Sequence, residues 1–283
     1  MKLPIPRLLL TIFLCGCIAL TSCSKDESNG GDNIDPNLNV LEKITDPVFK
    51  EYIKVLIRIG SIKAASPDIL TYAEARVITD LSFTNTANKQ NMTSLEGIEY
   101  FTGLEDLRLN YTAVSYVDLS KNVRIKEISF AGCIADTITI ISPSVEYISG
   151  VTSKNNAVII KARNLTALRC SDSKMTMLDV SECPFLKDLR CGGCRINRLD
   201  VSNNTALTLL WCGGAGNLTC RELDVSKNIK LEFLSCNQGA ASISKLYVWW
   251  EGGRDHIPPQ LQGYDDKLGT RFIVNDKTQI IRK

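Results

Sequence analysis

Histidine is almost missing from this sequence: His256 is the single one in 283 residues. Standing alone in the loop before Pro258, it leaves no Ser-His, Cys-His or imidazole-rich metal constellation to assemble. Excess charge of one sign is missing as well. With 33 basic and 31 acidic residues the formal net charge is +2 at pH 7, which points to neither nucleic acid nor an anionic membrane face. A bilayer-spanning run is absent, because the apolar stretch Leu8 to Leu20 is too short to cross comfortably. Gly192-Gly193 and Gly213-Gly214 come without a P-loop lysine or a dinucleotide fingerprint, so they are expected to form tight corners. Cys191-Gly-Gly-Cys194 has no second pair at ligand spacing to complete a metal site. No enzyme, cofactor or metal is therefore expected.

What is present is repetition. Leu165-Thr-Ala-Leu168-Arg-Cys170, Leu186-Lys-Asp-Leu189-Arg-Cys191, Leu207-Thr-Leu-Leu210-Trp-Cys212 and Leu231-Glu-Phe-Leu234-Ser-Cys236 spell one pattern, L-x-x-L-x-C, at steps of 21, 21 and 24 residues. Between them a second phrase recurs: Leu178-Asp-Val-Ser, Leu199-Asp-Val-Ser and Leu223-Asp-Val-Ser. Each unit thus holds two apolar segments and two turns, and a fixed period in the twenties marks a solenoid. The register runs backwards through Val145, Ile125, Leu104 and Ile78, giving about eight coils, the fourth being the most degenerate. The aspartates of the second phrase (Asp118, Asp179, Asp200, Asp224) suit turns whose backbone they bond.

This pattern resembles leucine-rich repeats, and more closely those of internalin-like bacterial surface proteins. The resemblance implies an α/β solenoid with a parallel β-sheet on its concave face, a short helical N-terminal cap and a β C-terminal cap. Asp46-Pro47 followed by Val48, Phe49, Tyr52, Ile53 and Leu56 predicts a capping helix, and Thr71-Tyr-Ala-Glu74 a capping box opening a second one. In proteins of this kind the loop between two such helices often resembles a calcium loop. Here it reads Ser61-Ile-Lys-Ala-Ala-Ser-Pro67-Asp68, without the oxygen ligands a hard cation needs. Beyond Cys236, Leu246-Tyr-Val-Trp249-Trp250 reads as a strand, and Arg271 to Ile281 suggests a hairpin.

The amino terminus is a processing signal. Lys2 and Arg7 precede the apolar run, and Leu20-Thr21-Ser22-Cys23 resembles a lipobox, which implies lipidation of Cys23; Leu14-Cys15-Gly16-Cys17 is a rival site. Lys25-Asp26-Glu27 resembles the short acidic export signal of bacteria that display lipoproteins outward, against a periplasm-facing anchor as the alternative. The expected organisation is a signal peptide over 1–22, a flexible tether over 23–39, the helical cap over 40–76, the repeats over 77–245 and the C-terminal cap over 246–283. Localisation would be the outer membrane, lipid-anchored, facing the cell surface.

Of the eleven cysteines, Cys170, Cys191, Cys212 and Cys236 share one inward column and act as small hydrophobes, while Cys133 and Cys194 sit at the buried turn of the family pattern. Disulfides stay open as an alternative, with Cys183 and Cys220 the pair least constrained by the column. Strand alternation sends the neighbouring positions outward. Arg169, Arg190 and Trp211 then occupy one outward column on successive coils, with Asp188, Leu209 and Phe233 beside them. Arginine and tryptophan dominate binding hot spots, so these residues form the expected contact site, the Arg190 cation resting over the Trp211 ring. Arg108 with Asp106 is a second candidate. The expected partner is a protein, host extracellular proteins included, bound by a monomer in adhesion or as a scaffold. The alternative is a glycan, stacked on Trp211 for nutrient capture.

Overall fold

A unit of two short apolar segments cannot bury both faces alone, so successive units stack and share one core. The computed structural model shows this stacking; it describes residues 34–83, 87–150, 156–214, 220–236, 243–265, 269–274 and 278–283. The expected signal peptide, Cys23 and most of the expected tether lie outside the described residues.

In chain order the repeat strands are β1 (Asp80–Ser82), β2 (Asp106–Arg108), β3 (Tyr116–Asp118), β4 (Glu127–Ser129), β5 (Thr137–Ile141), β6 (Tyr147–Ser149), β7 (Ala157–Lys161) and β8 (Ala167–Arg169). They continue as β9 (Met177–Asp179), β10 (Asp188–Arg190), β11 (Leu209–Trp211), β12 (Glu222–Asp224), β13 (Phe233–Ser235) and β14 (Lys245–Val248). The closing segment adds β15 (Tyr264–Asp265), β16 (Gly269–Thr270), β17 (Phe272–Ile273) and β18 (Gln279–Arg282). The first phrase of each unit feeds a nine-stranded sheet, β1-β2-β4-β6-β8-β10-β11-β13-β17. All its pairings are parallel. The second phrase makes a shorter wall in two parts, β3-β5-β7-β9 and β12-β14-β18. The fold is a leucine-rich-repeat solenoid with this parallel sheet along its inner face, and among the described residues α-helix is confined to the N-terminal segment.

Core positions repeat with the coils. Leu107, Ile128, Ile148, Leu168, Leu189, Leu210 and Leu234 are in register and fully buried. Two positions on, Phe83, Leu109 and Phe130 give way to Cys170, Cys191, Cys212 and Cys236, all buried. The second turns are held by a ladder of amides. Asn122 Nδ2 donates to the Ile98 and Phe101 carbonyls, Asn204 Nδ2 to Val180 and Cys183, and Asn228 Nδ2 to Val201 and Asn204. Each asparagine therefore ties its coil to the one before. The second-phrase aspartates accept from the backbone two residues on: Ser120 N, Ser181 N, Ser202 N and Ser226 N donate at 2.9 to 3.1 Å. At the first corner Gly193 has φ +75°, and a Cβ there would press on Asp172, with its backbone N and Cα at 3.1 Å, so glycine is favoured.

At the front end, α1 (Pro47–Arg58) buries Phe49, Ile53 and Ile57. Asp46 is its N-cap: Oδ1 accepts from Val48 N and Phe49 N, and Oδ2 accepts from Thr93 N and Ser94 N, which joins the helix to the first coil. Tyr52 exchanges hydrogen bonds with Ser82 on the outermost strand, donating to its carbonyl at 2.8 Å and accepting from its N–H at 3.1 Å. A sheet edge is thereby blocked against further pairing. A second helix, α2 (Tyr72–Ala75), opens on a complete capping box of Thr71 and Glu74. At the far end Trp250 is buried and Trp249 half-buried, their rings 4.9 Å apart.

One expectation needs correction here. Arg271 to Ile281 forms no hairpin: β17 pairs parallel with β13 and β18 parallel with β14, so this segment extends both ladders. The antiparallel pair is β15 with β16 instead. Chain spacing suggested a hairpin, but each strand gains more by completing an open ladder of the solenoid. The most degenerate coil keeps the register, β6 pairing with β4 and β8, and β5 and β7, the two longest strands among the described residues, pair over five residues.

Candidate binding surface on the long sheet

Register decides which outward side chains are neighbours. Ala167, Asp188, Leu209 and Phe233 lie side by side, as do Arg169, Arg190, Trp211 and Ser235. Within a strand Asp188 and Arg190 are two residues apart and share a face, so the guanidinium folds back on the carboxylate. Arg190 Nε donates to Asp188 Oδ1 at 2.9 Å and Oδ2 at 3.2 Å, and its terminal nitrogen to Oδ2 at 3.0 Å. Arg169 approaches the same carboxylate at 3.8 Å and lies 5.3 Å from the centre of the Tyr147 ring. The shared anion offsets the repulsion of the two stacked cations. Since these groups are a fifth to a half exposed, each contact contributes at most about 1 kcal/mol. What they supply is a held orientation. The same device recurs at the other end of the sheet, where Arg108 donates to Asp106 at 2.6 Å.

Of the residues the sequence singles out, Arg169, Asp188, Arg190 and Trp211 form one continuous surface. Leu209 and Phe233 do not join it as exposed contacts, being only 8% and 3% accessible. They lie outside the continuous core, the Phe233 ring 6.4 Å from Trp211, and the turn Pro259–Leu261 approaches β13. Burial of outward-pointing positions near the end of the solenoid is something alternation along one strand cannot reveal. Trp211 itself stays 38% exposed. The Arg190 cation faces Asp188, not the Trp211 ring, because a carboxylate two residues away offers a stronger, bidentate partner. Tyr147 was missed as a member of the surface. Its signal was an aromatic at an outward position one coil before Arg169.

The eight cysteines among the described residues are buried free thiols. Burial pushes Cys170, Cys191 and Cys212 well above the ordinary thiol value, Cys236 to about 12 and Cys183 to about 11. They stay protonated at neutral pH and are poor nucleophiles. Cys194 turns into the corner, at 3.2 Å from Ser173 Oγ and 3.1 Å from the Cys170 carbonyl that accepts its thiol. Among the described residues no group of three or more His, Cys, Asp or Glu side chains is arranged to hold a metal. His256 is exposed in the turn Gly253–His256.

No family model matches the chain, and no curated protein matches it. Solved structures similar to it include three from Listeria monocytogenes. The functional domain of InlJ, described as including a cysteine ladder, is 21% identical over 74% of this chain and 51% of its own, with a TM-score of 0.39. This chain therefore spans about half the length of that one. Internalin C2 is 18% identical over 62% of this chain and 97% of its own, at a TM-score of 0.29. A further internalin, inlF, is 15% identical over 86% and 96%, at 0.25. The leucine-rich-repeat architecture rests on the ladders described above.

Proposed function

We propose that this chain is a lipid-anchored protein of the bacterial cell surface that uses the long-sheet face to bind a protein partner, in adhesion or as a scaffold, without catalysing a reaction. The observation that carries the reading is Trp211, a large aromatic left partly exposed beside an oriented Asp188–Arg190 fork. Aromatic and arginine side chains held in place before contact lose little entropy on binding, the usual make-up of an interface hot spot. The surface extends from Tyr147 on β6 to Trp211 on β11, four neighbouring strands. Strands stack about 4.8 Å apart, so the patch runs about 15 Å along the solenoid, which suits a protein surface. A lone aromatic platform would suit one sugar ring; in the glycan reading Trp211 stacks on the sugar face and the arginines take acidic groups.

The test uses protein starting at Ile34, the first residue of the compact unit that reaches Lys283. Wild type and an Arg190→Ala/Trp211→Ala variant are immobilised and exposed in parallel to extracellular host proteins and to a glycan array. Protein ligands retained by wild type and lost by the variant support the reading. Glycan retention lost in the same way replaces it with nutrient capture, and equal retention by both moves the site elsewhere. The anchor is tested separately. Cys23→Ser should release the chain from the membrane fraction, and protease shaving of intact cells should remove it if it faces outward.

A further inference from the structure

The shorter wall of the solenoid has a missing rung. Its ladder runs through β9, stops, and resumes at β12. The Leu199-Asp200 phrase between them lies where a strand belongs, yet no backbone hydrogen bond joins Arg198–Asp200 to β9 or to β12. Repeat length supplies the cause. From the first leucine of a unit to its second phrase there are 13 residues in the units starting at Leu165 and Leu186, but 16 in the unit starting at Leu207. The extra residues fall between Cys212 and Leu223, so β12 is freed from the spacing that forces its predecessors into line.

Between Arg198–Asp200 and β12 lies a cleft of about 760 Å³, with Leu199 and Cys220 buried at its base. Along one side runs the edge of β12. Arg221 O and Val225 N are spent on β14, so by alternation the backbone groups of Glu222 and Asp224 face the cleft. The Glu222 carbonyl accepts the Cys220 thiol at 2.7 Å, while no strand among the described residues pairs with the Glu222 N–H or with the Asp224 N–H and carbonyl. An open edge of this kind is a template for another strand.

The charges around the cleft are unevenly committed. Asp200 is paired with Arg198 at 3.5 Å, Glu222 with Lys245 at 2.8 Å, and Asp224 with Lys283. Arg221 and Lys227 also line the cleft and form no ion pair among the described residues. The acids are neutralised while two cations are left over. We propose that this cleft is a β-augmentation site for an extended acidic peptide, which adds as a strand along Glu222–Asp224 and places carboxylates on Arg221 and Lys227. Backbone pairing supplies affinity and alternate side chains supply selectivity in such sites. Two cations alone would accept a sugar acid equally well; the unpaired backbone groups along β12 favour the peptide. The site belongs to the other sheet and does not depend on Trp211.

The test measures fluorescence anisotropy of a fluorescein-labelled octapeptide of alternating glutamate and valine with the full chain in detergent. Comparison probes are the same peptide with lysine in place of glutamate, the glutamate peptide N-methylated at alternate amides, and an oligogalacturonate competitor. Saturable binding of the glutamate peptide is expected, weakened about tenfold or more by Arg221→Glu/Lys227→Glu, where attraction becomes repulsion. N-methylation should abolish it, and Arg190→Ala/Trp211→Ala should leave it unchanged. Bound peptide should also slow hydrogen exchange at the Glu222 and Asp224 amides. Because Arg221 and Lys227 are exposed, unchanged thermal melting is expected for the charge variant. No saturable binding, equal binding of the lysine or N-methylated peptide, or indifference to the charge reversal would each overturn the proposal. Displacement by oligogalacturonate with no amide protection would replace it with a site for small anions.

Discussion

Asn204 is the sharpest test of how the coils are held. It is fully buried, and its Nδ2 donates to the carbonyls of Val180 at 2.9 Å and Cys183 at 2.8 Å in the preceding coil. Asn204→Ala removes both donors and leaves two buried carbonyls facing a side chain that cannot pair. At about 1–3 kcal/mol per orphaned group, shared with whatever relaxation follows, the loss should be about 2–4 kcal/mol. For a domain of this size that lowers the melting midpoint by about 5–15 °C. Asn204→Asp keeps the shape but sets a carboxylate against the same two oxygens, so burial and the facing carbonyls raise the introduced carboxyl's pKa in the folded state above its unfolded value near 3.9. A group raised on folding contributes stability that is fully present below the unfolded pKa and lost as pH rises through the folded one. The aspartate variant should therefore melt close to Asn204→Ala at about pH 4 and fall progressively below it towards pH 7. Circular dichroism melts at both pH values, with exposed Asn203→Asp as the control, measure this. If Asn204→Asp melts like wild type at pH 7, or its loss is the same at both pH values, the ladder of amides does not hold the coils as argued.

Two further outcomes follow from burial. Phe233→Ala should destabilise the protein by about 3–5 kcal/mol in denaturant titration, because the ring is covered; a loss under 1 kcal/mol would mean it is an exposed contact after all. Thiol burial predicts alkaline sensitivity. In the unfolded chain thiols ionise near their ordinary value of 9.0, whereas Cys183 and Cys236 are held to about 11 and about 12 when folded. The unfolded state sheds protons first, so stability is full below about pH 9 and lost as pH rises towards those values. In Ellman titration of the chain from Ile34, the eight thiols should react at pH 8 only as fast as the protein unfolds; rapid reaction in the native state would contradict their burial.

Much of the fold was legible because a solenoid is local. The Leu and Cys positions of each unit meet the same positions one period later, so spacing along the chain becomes contact in space, as in the columns of Leu189 with Leu210 and of Arg190 with Trp211. The helix cap at Asp46-Pro47 and the capping box at Thr71–Glu74 were legible for the same reason, since each bonds within its own turn. The strands β5 and β7 lack the second phrase, yet Thr137-Ile-Thr-Ile-Ile141 and Ala157-Val-Ile-Ile-Lys161 are rich in β-branched residues, as strands are. The candidate surface was legible in its residues and only partly in its exposure.

The sequence by itself determined the period, the inward columns, the outward set containing Arg169, Asp188, Arg190 and Trp211, and the small buried role of the cysteines. These depend on alternation and on a repeat whose next copy is its neighbour. Tertiary structure decided which outward residues stay outward. Leu209 and Phe233 are buried, and Arg190 chose Asp188 over Trp211 once both were within reach. It also decided that β17 and β18 extend two separate ladders and that a rung is absent before β12. Those outcomes turn on contacts between segments many residues apart, or on which of several nearby partners gives the lowest free energy, and no fixed spacing encodes either.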